Sequence, residues 1–511
     1  MSDREWREAP DLKPATLLLA AAVAVGFALR LWNIGAGVPF AVGIDEPAIM
    51  STVLRILKSG DYNPHFFEYP TGVVYFHLGV AVVRFLAGAM RHGWYAVEQV
   101  GMGDFYLWSR IATATIGSAT VVLLHQVGMR WGARHAVFAA GLFAVMPLSV
   151  REAHFALTDT PLVFAVTLTL LLSLRATEKP GLRRLLLAGA AAGLCAGLKY
   201  NGLYAVVMPV IAALMAPAGD RTTRIRDLAT VIVACVAAFF LTTPYAIIDL
   251  VGFLNGFGTQ TRAFVPVQPG GKSTGLVYLQ HFIANFGWPA FLLGMAGLVM
   301  TAIRVVRGPG HARFVLLLVF PLVFFNLITG WSFLFARYAL PIVPFMCVWA
   351  AIATISGVSL LRRFDIPRIA RRTLIVALTV AALLPPAWRS VRWNIEFGKT
   401  TTQSLAYDWI THNIWFQSTI VSEAKGLDLP AERYKFSYAR SLAGRDGAKL
   451  AADGVEWVIL SSDAWGAAEG GAASAVPEAY APLLSAGREA KVFAPDAGRP
   501  GPRIVIRTLS K

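Results

Sequence analysis

Long apolar runs recur along this chain, and they fix its fold class before any single residue does. Stretches of about 17–25 predominantly apolar residues match a bilayer core of roughly 30 Å. Inside lipid such a segment must satisfy its own backbone hydrogen bonds, which makes it a helix. The runs fall at 15–33, 108–128, 136–150, 160–175, 185–199, 203–217, 228–247, 288–306, 314–329, 338–359 and 373–388. They predict an α-helical polytopic membrane protein with about eleven transmembrane helices. Composition agrees: of 511 residues, 56% are hydrophobic and only 15% charged, too apolar for a water-soluble chain of this length.

The formal charge is +16, from 46 Lys and Arg against 30 Asp and Glu. A basic balance can signal nucleic acid, but here the cations sit in short loops between apolar runs. Arg130 and Arg134, Arg183 and Arg184, Arg224 and Arg226, Arg304 and Arg307, and Arg371 and Arg372 all do so. That is the pattern that orients membrane proteins with positive loops inside. The expected partner is therefore the bilayer, with no nucleic acid. Residues 1–14 then form a cytoplasmic N-terminus, followed by a retained anchor rather than a cleaved signal peptide. Segment 71–90 contains His77 and Arg84. Counting it as a span would put every later basic loop outside, so it is read as an interfacial or re-entrant helix. Cys195, Cys235 and Cys347 fall in or near apolar runs and give neither a disulfide framework nor zinc spacing.

The membrane region runs over 15–390, with 34–107 as a first outer loop carrying interfacial helices. Within it, Glu46 is expected at the N-cap and Pro47 at the first position of a short amphipathic helix that Gly60 ends. From 391 to 511 the composition becomes soluble-like. A helical pattern around SLAYDWITHNI precedes apolar runs at STIVSE, VEWVILSS and RIVIRTL. This predicts a small extracytoplasmic α/β domain.

Four constellations could carry chemistry, and all fall on the side expected to be outer. The adjacent carboxylates Asp45 and Glu46 leave the first run and enter the amphipathic helix. As a bland reading they are a solvated loop pair and a helix cap. Asp159, in HFALTDTP, sits at the start of a run, where an acid favours the helix dipole; Arg151, Glu152 and His154 share its loop. Lys199 in GLKYNGLY, and Arg337 and Tyr338 in FARYALPIVP, lie at run ends, where cations either snorkel or bind an anion. Arg suits phosphate because its planar fork donates two hydrogen bonds at once. His65 and Glu68, beside Tyr69, are three residues apart. They are either a hydrogen-bonded structural pair or ligands to a divalent ion.

In order and shared side, the strings GIDE, HFFEYP, HFALTDTP, GLKYNGLY and FARYALPIVP resemble the GT-C superfamily of membrane glycosyltransferases. The resemblance is to the bacterial branch similar to protein O-mannosyltransferases and lipid A aminoarabinose transferases, and it covers roughly residues 15–350. It implies a sugar donor linked to a polyprenyl phosphate, an outer-face acceptor, and a bacterial inner-membrane location. It implies that Asp45 is the catalytic base and that Asp159 positions acceptor or sugar, with Glu46, His154 and Tyr69 around them. Aminoarabinose transferases carry Lys where this chain has Tyr69, so the resemblance does not fix that sugar. It leaves a divalent metal open, with no other cofactor expected beyond the lipid-linked sugar as co-substrate.

The chemistry fits these residue types independently. A polyprenyl phosphate is already a good leaving group, whereas an acceptor hydroxyl on a glycan, lipid or protein must lose its proton as it attacks. A carboxylate supplies general-base help of roughly 10²–10⁴-fold. Lys199, Arg337 and Tyr338 would steady the departing phosphate. The expected activity is inverting transfer, hexosyl or pentosyl. The alternative is a transporter or flippase of a lipid-linked sugar, which would place functional polar groups deep in the spans.

Overall fold

In the computed structural model the described residues are 12–38, 45–216, 220–263, 274–307, 312–332, 334–424, 427, 429, 433–465 and 476–509. The chain divides into two compact units. One comprises Met1–Ile34, Ala48–Gln99 and Trp108–Asn394; the other comprises Gly35–Pro47, Val100–Leu107 and Ile395–Lys511. The stretch 34–107 is thus shared: its helical middle belongs to the membrane unit, and the segments flanking that middle belong to the unit that holds the tail.

The membrane unit is built from helices in chain order. They are α1 (Leu12–Leu31), α2 (Glu46–Ser59), α3 (Gly72–Met90), α4 (Gly103–Gly128), α5 (Ala133–Ala144), α6 (Pro147–Glu152), α7 (Asp159–Glu178) and α8 (Leu182–Leu198). Next come α9 (Val207–Leu214), α10 (Arg221–Thr242), α11 (Tyr245–Ile248), α12 (Leu250–Ala263), α13 (Thr274–Arg307) and α14 (Ala312–Thr329). The last are α15 (Val343–Ala351), which runs through a π-helical stretch into α16 (Val358–Leu360), and α17 (Arg368–Phe397). Among the described residues eight helical segments are long and apolar enough to cross a membrane. One of them is Gly72–Met90, so length and composition alone would let α3 cross, whereas its interfacial reading rests on loop charge. α2 starts at Glu46, one residue earlier than expected, and Gly60 (φ +70°) follows its end as anticipated.

The run at 136–150 is two helices rather than one span. α5 stops at Ala144 and α6 begins at Pro147, a residue with no N–H to continue the ladder. The carbonyls left open at the end of α5 are taken up by Arg30, which is fully buried. Its guanidinium donates to the carbonyl oxygens of Ala144 (2.9 Å) and Gly26 (2.8 Å) and to the Ser149 hydroxyl (2.7 Å). α13 bends at Gly287 (φ 72°), two residues before Pro289.

α8 packs closely against α10, and the sequence LLLAGAAAGLCAGL explains it. Glycines 189, 193 and 197 repeat every four residues and form a side-chain-free ridge. A Cβ on Gly193 would stand 2.1 Å from the Cys235 carbonyl oxygen. In lipid, where apolar transfer gives helices no reason to associate, such backbone approach is the main source of packing energy. The start of α3 meets the same place: Thr71 Oγ1 donates to the Thr242 carbonyl at 2.8 Å. The ridge thereby holds the carboxyl end of α8 at a three-helix junction.

The second unit contains α18 (Thr402–Asn413), α19 (Gly447–Ala452), α20 (Ala481–Leu484) and strands β1 (Thr419–Ser422), β2 (Lys435–Tyr438), β3 (Trp457–Ser461), β4 (Arg488–Phe493) and β5 (Ile504–Thr508). The sheet order is β2-β1-β3-β5-β4, with β1, β2 and β3 parallel and β5 antiparallel to both β3 and β4. Side-chain alternation along the strands separates two cores. Ile459, Ile504 and Ile506 pack with Ala406 and Ile410 of α18 on one face. Val458, Leu460 and Val505 pack with Tyr480 and Leu483 on the other. The expected α/β tail is therefore a layered domain.

Candidate active site

Asp159 is the first residue of α7 and Lys199 is the C-cap of α8, and both are buried. The Lys199 ammonium donates to Asp159 Oδ1 at 2.7 Å and lies 4.8 Å from the centre of the Tyr338 ring. Two sequence strings forty residues apart thus meet through opposite charges in a place where either charge alone would be costly. Tyr338 comes from the 3-10 segment Ala336–Ile342 and brings Arg337 with it. Arg337 stacks on Phe335, its guanidinium carbon 5.2 Å from the ring centre.

α6 adds a second pair to this neighbourhood. Glu152 is buried and accepts from Arg151 through Nε at 2.8 Å and Nη2 at 2.5 Å. Burial pushes the Glu152 carboxyl up; Arg151 and Arg337 oppose that, while Asp159 adds to it. The charged side chains of this neighbourhood come from well-separated strings. The neighbourhood combines Arg151, Glu152, Asp159, Lys199, Arg337 and Tyr338 from the ends of four elements.

His154, two residues beyond Glu152, is held by backbone carbonyls. Its Nδ1 is 2.8 Å from the Val150 carbonyl and its Nε2 is 3.0 Å from the Trp32 carbonyl. Its ring meets Trp393 edge-on at 4.8 Å. Burial pushes this imidazole down, and the two carbonyls oppose it. The ring ties the end of α1 to α6 and α17.

The HFFEYP and GLKYNGLY strings also converge. Tyr200 donates its hydroxyl to the Phe67 carbonyl at 2.8 Å and packs edge-on against Phe257 of α12 at 5.0 Å. Tyr69 is half-buried, with its ring 5.9 Å from Phe66. Tyr200 was not anticipated. Its signal was its place beside Lys199, in a string where only the lysine was singled out.

His65 does not pair with Glu68. The ring of His65 lies 2.9 Å from Asp61 Oδ2 through Nε2 and 4.0 Å from Asp249 Oδ2 through Nδ1, and Asn63 donates to Asp249 at 2.8 Å. Hydrogen bonds from the Asn63 backbone and from His65 hold the Asp61 carboxyl below its ordinary value. Glu68 is exposed. No group of three His, Cys, Asp or Glu side chains placed to hold a metal ion occurs among the described residues.

Asp45 occupies the turn before α2, half-buried, and Glu46 is fully buried as the first residue of that helix. Both lie in the segment Gly35–Pro47 of the second unit.

Residues 102–248 match the protein family described as dolichyl-phosphate-mannose-protein mannosyltransferase. No curated protein sequence matches the chain. ArnT from Cupriavidus metallidurans in the apo state is similar over 97% of this chain and 97% of its own, with 17% identity and a TM-score of 0.60. ArnT from the same organism bound to undecaprenyl phosphate is similar over 98% and 99%, with 18% identity and a TM-score of 0.58. The Archaeoglobus fulgidus oligosaccharyltransferase in the apo form covers 88% of this chain and 69% of its own, with 14% identity and a TM-score of 0.58. The chain therefore shares its fold with ArnT over nearly its whole length, and its segment 102–248 carries the mannosyltransferase match.

Proposed function

We propose that this protein is an inverting glycosyltransferase. It moves a sugar, hexosyl or pentosyl, from a polyprenyl-phosphate donor to a hydroxyl of a glycan, lipid or protein acceptor at the outer face of a bacterial inner membrane. The observation that carries this reading is the buried Lys199–Asp159 pair at 2.7 Å, with Tyr338 over the ammonium. A lysine held in place by one carboxylate still has two N–H groups to offer a phosphate oxygen. The ArnT relative bound to undecaprenyl phosphate supports a lipid-phosphate ligand for the same fold.

In the proposed reaction Asp45 takes the proton of the acceptor hydroxyl as its oxygen bonds to the anomeric carbon. The bond from that carbon to the phosphate oxygen breaks, and its electron pair leaves with the polyprenyl phosphate. Attack opposite the leaving group inverts the centre. Lys199 and Arg337 stabilise the charge growing on the phosphate. Asp159 orients Lys199, and Glu46 and Tyr69 flank the sugar or acceptor. The mechanism gives His65, Glu68 and a divalent ion no step.

The test is Asp45→Asn in purified, reconstituted protein supplied with a polyprenyl-phosphate sugar and an acceptor. Transfer is expected to fall by at least roughly a hundredfold, with melting behaviour unchanged. Wild-type transfer by this variant would remove Asp45 from the role. Headgroup translocation by the native protein with no acceptor glycosylated would replace enzyme with flippase.

A further inference from the structure

A second place on the membrane unit combines cations with apolar surface, and the proposed reaction does not use it. α7 ends at Glu178, α8 starts at Leu182, and the turn between them opens a cavity of about 460 Å³. Its walls are of two kinds: Leu172, Leu182 and Leu187 are apolar, while Arg175, Arg183 and Arg184 are cationic. Leu182 and Leu187 are 41% and 43% exposed. The Arg184 guanidinium donates to the Lys179 carbonyl, which fixes it at the rim. Arg175 and Arg183 make no side-chain hydrogen bond or ion pair among the described residues. The nearby carboxylate of Glu178 is already held by Arg130 at 3.0 Å.

We infer that this cavity binds an anionic diacyl phospholipid. The phosphate would sit among the three guanidiniums, whose forked donors suit its oxygens. An acyl chain would lie along the leucine wall. A soluble anion would use the cations but leave the leucines in contact with nothing. A zwitterionic lipid would use the leucines but bring its own cation against three others. Charge and apolar surface together therefore select an anionic lipid, and α7, itself long and apolar enough to cross a membrane, ends beside the cavity.

The full-length, delipidated protein in detergent would be titrated in native mass spectrometry. The probes are dioleoyl phosphatidylglycerol, dioleoyl phosphatidylcholine and glycerol phosphate. Phosphatidylglycerol is expected to bind most tightly, and Arg175→Gln with Arg183→Gln is expected to weaken it roughly tenfold or more. Leu187→Gln, with every cation retained, is expected to weaken the lipid and not glycerol phosphate. Unchanged phosphatidylglycerol binding in the double arginine variant would overturn the assignment. So would equal binding of phosphatidylcholine, or glycerol phosphate binding as tightly as the lipid. Should the double variant fail to fold, the two single arginine variants and the Leu187 variant decide the question.

Discussion

Two buried carboxylates, one in each unit, meet the same physical problem with different partners. In the membrane unit Asp159 faces a full positive charge, the Lys199 ammonium at 2.7 Å. In the tail domain Glu423 follows β1 and is equally inaccessible, but its hydrogen-bond partners among the described residues are neutral donors. It accepts from the backbone N–H of Leu442 (2.7 Å), the backbone N–H of Ser461 (3.1 Å) and the Tyr480 hydroxyl (3.0 Å). Three dipoles saturate a carboxylate and lock the ends of β1 and β3 to a loop and a helix. A single cation neutralises a carboxylate yet keeps donors to spare, so an incoming anion can share it. The first arrangement suits a latch and the second suits a ligand site.

The comparison breaks most readily at the ion pair. Lys199→Met leaves Asp159 buried without its cation and is expected to cost about 3–5 kcal/mol of stability. Adding Asp159→Asn to that variant should restore most of the loss while transfer stays absent. Thermal unfolding in detergent reads the first outcome and reconstituted transfer reads the second. A double variant as unstable as the single one would show that the charges are not each other's main partners.

Glu423→Ala strands the three donors of the latch, each worth about 1–3 kcal/mol when buried and unsatisfied. The tail domain should melt earlier, seen by hydrogen exchange over 419–461. A pH dependence should also disappear. Burial pushes the Glu423 carboxyl up despite its donors. The folded state therefore binds the proton more tightly than the unfolded chain. Stability should be highest below the usual carboxylate range and fall as pH rises through the raised value. Exchange protection that is flat across that window in the native protein would contradict this account.

The smallest effect expected is also the most selective. Gly193→Ala adds one methyl where the Cys235 carbonyl leaves no room, so α8 and α10 must part, at about 1–3 kcal/mol. No charge is touched, yet Lys199 is carried at the end of the displaced helix. Transfer should fall further than stability alone accounts for. Full activity per folded molecule would mean that the ridge holds the helix without setting the position of the lysine.

Much of this molecule was legible one residue at a time. Helices longer than a bilayer is thick can be read from apolar runs because the solvent imposes them. The α/β tail can be read because strand alternation persists where water returns. Asp159, Lys199, Arg337 and Tyr338 stood out because charge and phenol are rare at span ends. What could not be read was who holds whom. His65 was paired in sequence with Glu68, three residues away, but in space it meets Asp61 and Asp249. Phe67 meets Tyr200 across a gap of more than a hundred residues.

The sequence by itself determined that the chain is a helical membrane protein with a layered tail, since hydrophobic length and period are local properties. Only the tertiary structure decided that Asp159 and Lys199 form one buried pair and that Arg30 takes up the open carbonyl at the end of α5. It alone turned His154 into a tie between helices. Those outcomes depend on which backbones approach closely, and packing of that kind is set by several segments together, not by any segment read alone.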